Sequence, residues 1–589
     1  MYSNNRRELI IGMMLEDISS DFSKELVRSV VNSITTNRNI RLAVLPGKYD
    51  DGIGWVHEYR AIHNSIFMLR EQISLDGMII HLGSIYNEEE HLLYESFMER
   101  NNDIPKVFIG LDDPELTSVN YDNESGISEA IDYLVNIVGL TRLCMLGGRA
   151  DNKDASIRKN IFINCLEKNG LSYSEKQFVN TDMSTVCFAE AEKLLDNNPD
   201  TQAVFCVNDA AAKALYKVMG DRGLVPGKDI MVFGFDNTNM SGELIPSLSS
   251  IGSDGISLGQ KALELLLSKI SGEKVSSELV HTRLYGRESL PYEMYDYNTL
   301  EMIHIESSFI YRMFDDCFYR FKTAPRDREM IDLRRLFFEF ISRMLLAMKR
   351  RYMSIETYDE IRRLIDIFFD NGAMRYTDSA KLLKSVDKLQ TQMNLAQRSV
   401  FAREKTNRLF LQIKDKAILA LATELSTERK DIIEKQRNLQ FFTAESMGFD
   451  RSQGEVFERI LKSIGRLGSD NCAFYMYDEP FVYSAEAPEQ YPNFIRLVCV
   501  IRDGNVHILP EARQRCRLSD IFSKNELPSN GKGFIAFTVF HRNLIYGLLL
   551  CEPVDAIYSI GEYISLQLGR ALYLNDIKSP SVLWKKDKS

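Results

Sequence analysis

The chain has 589 residues, of which 44% are hydrophobic and 26% charged, with a formal net charge of −11 and a pI near 5.5. These values are typical of a folded globular protein with roughly three or four domains, and they exclude disordered, fibrous and strongly basic chains. No run of about eighteen uncharged apolar residues occurs, and the nine cysteines include no Cys-x-x-Cys pair. We therefore expect a cytoplasmic protein without a membrane span, a disulfide framework or a metal site.

The first half of the chain alternates short apolar runs with amphipathic segments, which indicates a parallel α/β fold. Asn208 and Asp209 directly follow one of the predicted strands, and Phe235, Asp236 and Asn237 follow another. Because open α/β sheets bind ligands at the carboxyl ends of their inner strands, an acidic residue in this place predicts a small-molecule site. The predicted strands are 9–14, 75–80, 104–109, 143–147, 204–207, 230–234 and 247–251, and the predicted helices are 22–36, part of 119–134 and 156–170.

Taken in chain order, these motifs resemble the effector-binding domain of LacI/GalR-type regulators. The resemblance includes an Asp-Asn-x-x-Gly entry to a helix that begins at Asp122, Arg158 in the next helix, and Gly259 in the last crossover. It implies two doubly wound lobes of the periplasmic-binding-protein fold over residues 1–297. The family places a helix-turn-helix module before this domain, whereas eight residues precede Leu9 here. We therefore expect direct nucleic-acid binding to be absent, in agreement with the negative net charge.

The resemblance also implies which side chains contact the ligand. From the second lobe, the planar fork of Arg158 would hold two hydroxyls or a carboxylate, and Asp209 and Asp182 would accept hydrogen bonds from hydroxyls. The first lobe would add side chains from the loops that follow its strands, namely Asp17, Phe22 and Ser84.

Two of these expectations leave alternatives open. Asp209 can equally cap the helix that follows it, because Asp is favoured at the N-cap. A sugar prefers an aromatic face to stack on, yet where many family members carry an aromatic residue this chain has Ser253, Asp254 and Gly255. Trp55 and Tyr59 either supply that face or pack on the lobe as core residues.

Between residues 300 and 370, apolar residues recur at spacings of three and four, which predicts helices with one wide buried face. We interpret residues 298–376 as a helical bundle, interrupted at Pro325 and Gly372. Its aromatic and Met side chains are expected to be core rather than a cofactor pocket, so no cofactor is predicted. The predicted core residues are Phe309, Met313, Phe314, Cys317, Phe321, Leu336, Phe337, Phe340, Ile341, Met344 and Leu345.

Residues 377–446 contain neither Gly nor Pro, which predicts one long connecting helix. Val386, Met393 and Val400 recur at seven-residue spacing. The pattern then drifts through residues 413, 421, 425, 432 and 439, so it does not predict a uniform coiled coil. Either this helix pairs with a second copy in a homodimer, or it folds back on the preceding bundle.

Residues 447–576 are predicted to form a mixed α/β unit, followed by a tail at 577–589. An amphipathic helix at 456–467 precedes strands at 471–477, 495–501, 533–540 and 544–551, and a helix at 557–574 closes the unit. This order resembles a GAF domain, a sensory fold of bacterial signalling proteins. The cysteines of this unit show no ligand spacing, and we interpret them as ordinary strand or loop residues: Cys472, Cys499, Cys516 and Cys551.

Together these parts resemble the sensory half of certain Firmicute signalling proteins, which often continue into a diguanylate cyclase. That enzyme needs a Gly-Gly-(Asp/Glu)-Glu-Phe loop, and the single Gly-Gly pair here, at 147–148, lies in the sensor part. Phosphate-loop, zinc-helix and nucleophile-elbow motifs are also missing from the sequence. An enzyme is therefore not predicted.

The sequence predicts a ligand sensor. Closure of the two lobes on a small polar, sugar-like effector would pass through the helical linker to the GAF-like unit, and from there to a separate output protein. Two alternatives remain open. One is a transcriptional regulator that acts through a partner or a cryptic DNA-binding surface, and the other is the sensor half of a diguanylate cyclase.

Overall fold

The computed structural model describes most of the chain. Ser84, Trp55 and Pro325 lie outside the described residues. The described residues are 8–34, 39–48, 59, 62–81, 104–111, 115–150, 152–291, 302, 304–318, 321, 332–350, 352–377, 379–396, 399–447, 455–483, 491–523, 527 and 532–578.

Residues 9–285 alternate strands and helices in the order that the sequence predicts, and the predicted elements are found with their ends shifted by up to three residues. The described elements of this part are β1 (Leu9–Leu15), α1 (Asp21–Ile34), β2 (Ile40–Pro46), a 3-10 helix (Ser65–Glu71), β3 (Gly77–His81), β4 (Lys106–Ile109), β5 (Ser118–Tyr121), α2 (Asn123–Asp132), β6 (Leu143–Gly147), α3 (Lys153–Lys168), β7 (Phe178–Asn180), α4 (Phe188–Asn197), β8 (Ala203–Cys206), α5 (Asp209–Asp221), β9 (Met231–Phe235), α6 (Asn239–Glu243), β10 (Ser249–Ser253), α7 (Leu258–Ile270), β11 (Glu278–Val280) and β12 (Thr282–Tyr285).

These elements form two lobes, each built on its own sheet. Lobe 1 has the strand order β11-β5-β4-β3-β1-β2, and lobe 2 has the order β12-β10-β9-β8-β6-β7. The chain crosses between the lobes after β5, after β10 and between β11 and β12. Such short crossovers form a hinge about which two packed lobes can close as rigid bodies. The predicted two-lobed α/β architecture is therefore confirmed.

Helix α1 is amphipathic and buries its apolar side chains, spaced at three and four residues, against α7 and the lobe 1 sheet. The approach of α7 to α1 depends on Gly259, because a Cβ atom there would lie 2.2 Å from Ser29 Oγ and 2.8 Å from the carbonyl oxygen of Leu26. The glycine that the sequence places in the last crossover therefore allows these two helices to pack closely.

The bundle that follows consists, in its described part, of α8 (Ser307–Cys317), α9 (Leu333–Arg350), α10 (Ile355–Asp370), α11 (Ser379–Ala396) and the first half of α12 (Val400–Met447). Nine of the predicted core residues are buried in one cluster, and Phe321 and Leu336 pack against it partly buried. The predicted bundle core is therefore confirmed. Several of its aromatic pairs meet edge to face, as in the Phe318 and Phe368 pair at 5.2 Å, whereas Phe314 and Phe318 stack.

The prediction of one continuous helix over 377–446 is wrong. The chain reverses between α11 and α12, which lie antiparallel: Gln390 donates to Asn407 at 3.0 Å, and Lys414 lies 2.5 Å from Asp387. Val386 and Met393, two members of the predicted heptad, are buried in the bundle core. The sequence gives no sign of the reversal because it occurs without Gly or Pro. The fold-back alternative therefore describes α11 and the first half of α12.

The C-terminal unit begins where the second half of α12 reaches α13 (Glu455–Arg466). The remaining described elements are β13 (Cys472–Val482), β14 (Phe494–Arg502), β15 (Asn505–Ile508), α14 (Glu511–Gln514), β16 (Arg515–Arg517), β17 (Gly533–His541), β18 (Leu544–Cys551) and α15 (Asp555–Lys578). The strands pair in the order β17-β18-β13-β14-β15, with β16 beside β14. The predicted strands and closing helix are present, and the GAF-like identity stays a prediction.

The cysteines of this unit are all buried, as are the other five of the chain. Cys472 and Cys551 face each other across β13 and β18, with their Sγ atoms 3.5 Å apart. No group of three or more His, Cys, Asp or Glu side chains that could hold a metal ion occurs among the described residues. In the same part of the chain, no helix is both long and apolar enough to cross a membrane.

The C-terminal unit is joined directly to lobe 1, which the predicted boundary at residue 447 does not anticipate. Strand β17 pairs in parallel with β2, with Gly533, Phe534 and Ile535 opposite Leu42, Ala43 and Val44. The lobe 1 sheet and the C-terminal sheet thus form one sheet of twelve strands. The hydrophobic core on each face of this sheet contains side chains from both parts of the chain.

Polar contacts reinforce this junction. The Arg41 side chain donates to the carbonyl oxygen of Phe522 at 2.6 Å, and the Tyr491 hydroxyl donates to the carbonyl oxygen of Ser65 at 3.0 Å. All four residues lie close to the strands that join the two sheets. Because the backbone ladder, both apolar cores and these bonds span the junction, we expect lobe 1 and the C-terminal unit to move as one body.

Candidate ligand-binding cleft

A cleft of about 550 Å³ opens between the two lobes. Lobe 1 lines it with the loop after β1 and the ends of β3, β4 and β5. Lobe 2 lines it with the first turns of α3 and α5 and the loops after β7 and β9. These are the carboxyl ends of parallel strands, where open α/β sheets bind ligands, and the volume falls within the roughly 300–1,000 Å³ typical of small-molecule sites.

The guanidinium of Arg158 is fixed at the lobe 2 side of this cleft. Its Nε donates to Asn123 Oδ1 at 3.0 Å, and its Nη1 donates to the carbonyl oxygen of Val207 at 2.7 Å. The guanidinium carbon lies 3.6 Å from the centre of the Phe235 ring, a cation–π geometry. Nη2 faces Asp236 Oδ1 at 3.7 Å. With its plane set by these contacts, the guanidinium of Arg158 is a preorganised donor at the wall of the cleft.

Asp236 follows β9 directly and has a strained backbone. Its φ angle is +91°, in the left-handed region that side chains other than Gly rarely adopt. Such strain costs on the order of 1–3 kcal/mol and clusters at functional sites. Burial raises the pKa of Asp236 to about 6, although the positive charge of Arg158 acts to lower it. At neutral pH the cleft therefore holds a carboxylate beside a guanidinium.

Asp209 is only 1% exposed, and the protein itself already binds its carboxylate. Oδ2 accepts from the backbone N–H and the hydroxyl of Thr238 at 2.8 and 3.0 Å, and Oδ1 accepts from the hydroxyl of Ser250 at 2.5 Å. The N-cap of α5 is Asn208, which accepts from the backbone N–H of Ala211 at 2.9 Å. The capping alternative for Asp209 is therefore wrong. Its carboxylate instead ties α5 to the loop after β9, and a ligand role stays a prediction.

The other predicted contact residues also line this cleft, except Ser84, which lies outside the described residues. Asp182 accepts from the backbone N–H and the hydroxyl of Ser184, both at 2.9 Å. The fold thus brings together five of the six predicted residues, and their contacts with a ligand stay predictions. These five are Arg158, Asp209, Asp182, Asp17 and Phe22.

Aromatic faces are present in the cleft although the 253–255 segment supplies none. Phe22, Phe108 and Tyr121 line it. Tyr59, one of the two alternatives raised by the sequence, instead packs against the C-terminal unit, with its ring 6.0 Å from that of Phe540. Gly255 is exposed, with a φ of +92° that favours glycine. A sugar ring could therefore stack on lobe 1 without an aromatic residue at 255.

The cleft is acidic. Seven carboxyl groups line it against three cationic side chains, and one of these cations, Arg158, already faces Asp236. Burial raises the pKa of one of the seven, Asp209, to about 7, so Asp209 carries only part of a negative charge at neutral pH. An excess of negative charge in a narrow cleft favours neutral or cationic ligands over anions. The carboxyl groups are those of Glu16, Asp17, Asp21, Asp154, Asp182, Asp209 and Asp236, and the cations are Lys153, Arg158 and Lys213.

His81, at the end of β3, adds a neutral polar group to the cleft. Burial lowers the pKa of His81, although nearby carboxylates act to raise it. Its Nδ1 is buried and has no hydrogen-bond partner within the described part of the chain. A ligand hydroxyl would satisfy this atom, since buried polar groups are rarely left unpaired.

Comparisons with known proteins agree with this geometry. Residues 131–290 match a family model described as a periplasmic binding protein-like domain. The chain contains a periplasmic-binding-protein-like domain. It is 26% identical over 287 residues to catabolite control protein A of Priestia megaterium, covering 47% of this chain and 79% of that protein. It is 24% identical over 278 residues to the HTH-type transcriptional repressor CytR of Escherichia coli strain K12, covering 46% of this chain and 76% of that protein.

Among solved structures, a complex of the transcriptional regulator CelR with cellobiose aligns with a TM-score of 0.41 and 21% identity, over 49% of this chain and 86% of that chain. The relatives of the periplasmic-binding-protein-like domain include regulators of the LacI/GalR type, as the sequence motifs predict. The expectation that direct nucleic-acid binding is absent finds no support among them, because CytR is named as a helix-turn-helix repressor.

Asp236 is a candidate contact residue that the sequence analysis did not include among the predicted ligand contacts. The same rule that identified Asp209 applies to it, since it directly follows the carboxyl end of β9. The sequence cannot show which of two neighbouring acidic residues the fold buries among its own donors. In the structure Asp209 is enclosed by Thr238 and Ser250, whereas Asp236 faces Arg158.

A buried ion cluster joins the cleft to the C-terminal unit. Lys48 Nζ lies 3.5 Å from Asp17, in the cleft loop, and 3.0 Å from Glu562 on α15. Glu562 also lies 3.2 Å from Nε2 of His63, whose ring packs against Phe540 at 4.9 Å. Although burial acts to lower it, the carboxylates of Asp17 and Glu562 raise the pKa of Lys48. One cation therefore links the loop after β1 to α15, the last helix of the described residues.

A hydrogen bond across the cleft joins the two lobes of the periplasmic-binding-protein-like domain. Glu25 on α1 of lobe 1 accepts a hydrogen bond from the backbone N–H of Asn239 in lobe 2 at 2.7 Å. Burial raises the pKa of Glu25 to about 8, the Asn239 bond acts to lower it, and the nearby Asp209 raises it further. The contact between the lobes is thus made by a carboxyl group that is largely protonated at neutral pH.

Proposed function

We propose that this protein is a non-enzymatic regulatory sensor, in which a small hydroxyl-rich ligand binds between the two lobes. The observation that carries the proposal is the fixed guanidinium of Arg158 beside the strained Asp236, in a cleft with aromatic side chains. A planar donor next to an acceptor matches the vicinal hydroxyls of a sugar. Two relatives are named as a control protein and a repressor, which supports a regulatory role.

The charge of the cleft narrows the ligand class. Because carboxyl groups outnumber cations in the cleft, a phosphorylated or carboxylated sugar would meet net repulsion, whereas a neutral sugar would not. An amino sugar would add an attraction. We infer that the effector is a neutral or amino-substituted sugar-like molecule, because it must satisfy donors and acceptors of both kinds without adding negative charge.

Transmission to the C-terminal unit is the second part of the proposal. This unit, which we predict to be GAF-like, would receive the signal through the cluster of Asp17, Lys48 and Glu562. The helical linker alone would not carry it. A ligand that binds beside Asp17 changes the field around this carboxylate and therefore the strength of its pairing with Lys48. The ligand can shift the population from the open to the closed state only by as much as its affinity for the closed state exceeds its affinity for the open state.

The test is calorimetric titration and thermal shift of the full chain with glucose, glucosamine, glucose 6-phosphate and cellobiose. Ligand binding raises the melting temperature because the ligand binds only the folded state. We expect binding of at least one neutral or amino sugar, and at least about tenfold weaker binding of the phosphate, which corresponds to about 1.4 kcal/mol. A preference for the phosphorylated form would overturn the proposed ligand class.

Variants assign the binding to the cleft. Asp236→Asn keeps the side-chain shape and tolerates the positive φ, but it removes the charge, and Arg158→Met removes the donors. We expect each to weaken binding by about tenfold to a hundredfold, since a hydrogen bond to a charged group contributes roughly 1.5–3 kcal/mol. Arg142→Met, at a half-exposed arginine of lobe 2 outside the cleft, is the matched control. Equal loss in the control would show that the effect is not specific to the cleft.

A second candidate, transcriptional control through a DNA-binding surface or a DNA-binding partner, is favoured by the similarity to a helix-turn-helix repressor. The two candidates share the same cleft and differ in output. Electrophoretic mobility shift of genomic fragments, with and without the ligand identified above, distinguishes them. A ligand-dependent shift by the purified chain would favour direct control of transcription.

A further inference from the structure

The middle of α12, from residue 411 to residue 432, exposes apolar side chains at regular spacing. Four aliphatic residues recur every seven positions, and each is between 56% and 59% exposed. We call these four residues the α12 stripe: Leu411, Ile418, Leu425 and Ile432. At 1.5 Å per residue the stripe is about 32 Å long. Large apolar side chains aligned on one helix face usually mark a surface that another protein covers.

The protein itself covers the opposite side of the same helix. In the first half of α12, Leu409, Phe410 and Ile413 are buried in the bundle core, and near its end Phe442 is buried in the core shared with the C-terminal unit. Between these two attachments, the described side chains from Ala422 to Arg437 are exposed. A helix bridging two bodies needs no apolar residues on its outer face, so the stripe is not explained by the fold of one copy.

We propose that the α12 stripe is a dimerisation surface, on which α12 of a second copy packs in antiparallel orientation. A seven-residue repeat of Leu and Ile is the pattern by which two helices pack as a coiled coil. The occupant is therefore a helix of matching repeat and length, and α12 of a second copy provides both.

Charge on the stripe face determines the orientation. Asp415 and Arg429 lie on this face, are exposed, and are each seven residues from Ala422. A two-fold axis at Ala422 brings Asp415 of one copy level with Arg429 of the other, twice. It also brings Leu411 level with Ile433, and Leu419 level with Leu425, all of which are more than half exposed. The small Ala422 on the axis lets the helices approach closely.

A parallel arrangement in register is disfavoured by the same residues. It would place Asp415 against Asp415 and Arg429 against Arg429, between apolar layers where like charges are costly. In the antiparallel arrangement both pairs are complementary. An isologous dimer with a two-fold axis is also the commonest form of soluble homo-oligomer.

The first experiment measures the oligomeric state of the full chain by sedimentation over a concentration series. We expect a dimer for the natural sequence, and dissociation at least about tenfold easier in Ile418→Glu and Leu425→Glu, since charge in an apolar interface removes its central contacts. Leu395→Glu on α11, which is 76% exposed and outside the stripe, is the matched control and should remain dimeric. Circular dichroism confirms that each variant is folded.

The second experiment tests the orientation. Asp415→Arg or Arg429→Asp alone creates like-charge pairs in the antiparallel dimer and should weaken it by about tenfold. The double variant restores opposite charges and should return the dissociation constant to within about threefold of the natural value. In a parallel dimer, the double variant only exchanges one like-charge pair for another and restores nothing.

A monomer at all concentrations, or a dimer unaffected by both stripe variants, overturns the proposed surface. A dimer weakened by the stripe variants but not restored by the double charge exchange overturns the antiparallel orientation. Neither result depends on the ligand, so the proposed sensor function is tested separately.

Discussion

The two lobes resemble each other in topology but differ at their edges. Lobe 2 ends its six-stranded sheet at β7 on one side and β12 on the other. Lobe 1 instead continues through β2 into β17 and the whole C-terminal sheet. Lobe 2 is thus attached to lobe 1 through the crossovers and the contacts across the cleft, whereas lobe 1 shares a backbone ladder and two apolar cores with a third unit.

This difference indicates which part of the protein moves when the lobes close. If the lobes close on a ligand, lobe 2 with Arg158 and Asp236 rotates, and lobe 1 with the C-terminal unit forms the frame. In the transmission that we propose, the signal starts in this frame, because Asp17 lies in the lobe 1 loop and its partner Lys48 contacts Glu562 of the C-terminal unit. A long helical lever is not required for this part of the route.

The largest expected effect comes from removing a large side chain from the shared core. Phe534 in β17 is fully buried beside β2, and Phe534→Ala should lower the free energy of unfolding by about 3–5 kcal/mol. Because the core is shared, hydrogen exchange should accelerate in both β17 and β2, although they are distant in sequence. Hydrogen–deuterium exchange with mass spectrometry measures this directly.

Phe162→Ala in α3 is the matched control for lobe 2, since Phe162 is equally buried but packs in the separate lobe 2 core. We expect a similar loss of stability of about 3–5 kcal/mol, with faster exchange confined to lobe 2. If Phe534→Ala left the exchange of β2 unchanged, the C-terminal unit would be an independent domain and the comparison between the lobes would fail.

A smaller effect is expected at the ion cluster. Lys48→Met leaves the carboxylates of Asp17 and Glu562 without their common cation in a mostly buried site. We expect a loss of about 1–3 kcal/mol, less than for a fully buried pair because the side chains retain some exposure. Thermal denaturation followed by circular dichroism measures the loss at pH 7.

Combining Glu562→Gln with Lys48→Met in one protein tests whether these two side chains are energetically coupled. The double variant removes one of the two unpaired carboxylates and should recover at least half of the lost stability, a coupling expected only of groups in contact. Additive losses in the double variant would show that Lys48 and Glu562 act independently, which would remove the proposed link between the cleft and α15.

Local sequence patterns predicted most of the elements but not how distant elements join. The strands of both lobes and the core of the bundle follow from apolar periodicity, which neighbouring residues determine. The pairing of β2 with β17 depends on contacts between residues almost five hundred positions apart. One signal was available: β2 is buried along its whole length, with an apolar run typical of an inner strand rather than an edge.

The candidate site has the same limit: local sequence patterns do not show which distant residues the fold brings together. Asp209 was predicted from its position after a strand, and Arg158 was predicted from the family resemblance. Which acidic residue faces the cleft, however, depends on the hydrogen-bond donors that the fold brings near each carboxylate. Thr238 and Ser250 come from two other segments to enclose Asp209. Asp17 was predicted as a ligand residue, whereas its link to Lys48 requires the end of β2 to lie beside the loop after β1, which parallel pairing provides.

The smallest expected effect, when it is measured over one pH unit, concerns the contact between the lobes and depends on pH. Because the pKa of Glu25 is raised from 4.5 to about 8, the folded state keeps a proton that the unfolded state releases above pH 4.5. Stability therefore falls as pH rises from about 4.5 to 8, with a slope of at most about 1.4 kcal/mol per pH unit from this group.

Glu25→Gln keeps an acceptor for the Asn239 N–H but cannot ionise, so the denaturation midpoint should depend less on pH in this window. Glu129→Gln is the matched control, since Glu129 also accepts a backbone N–H but within lobe 2, and it should keep the natural slope. An unchanged slope in Glu25→Gln would mean that Glu25 is ionised in the folded protein, and the lobes would then be joined by a charged rather than a neutral carboxyl group.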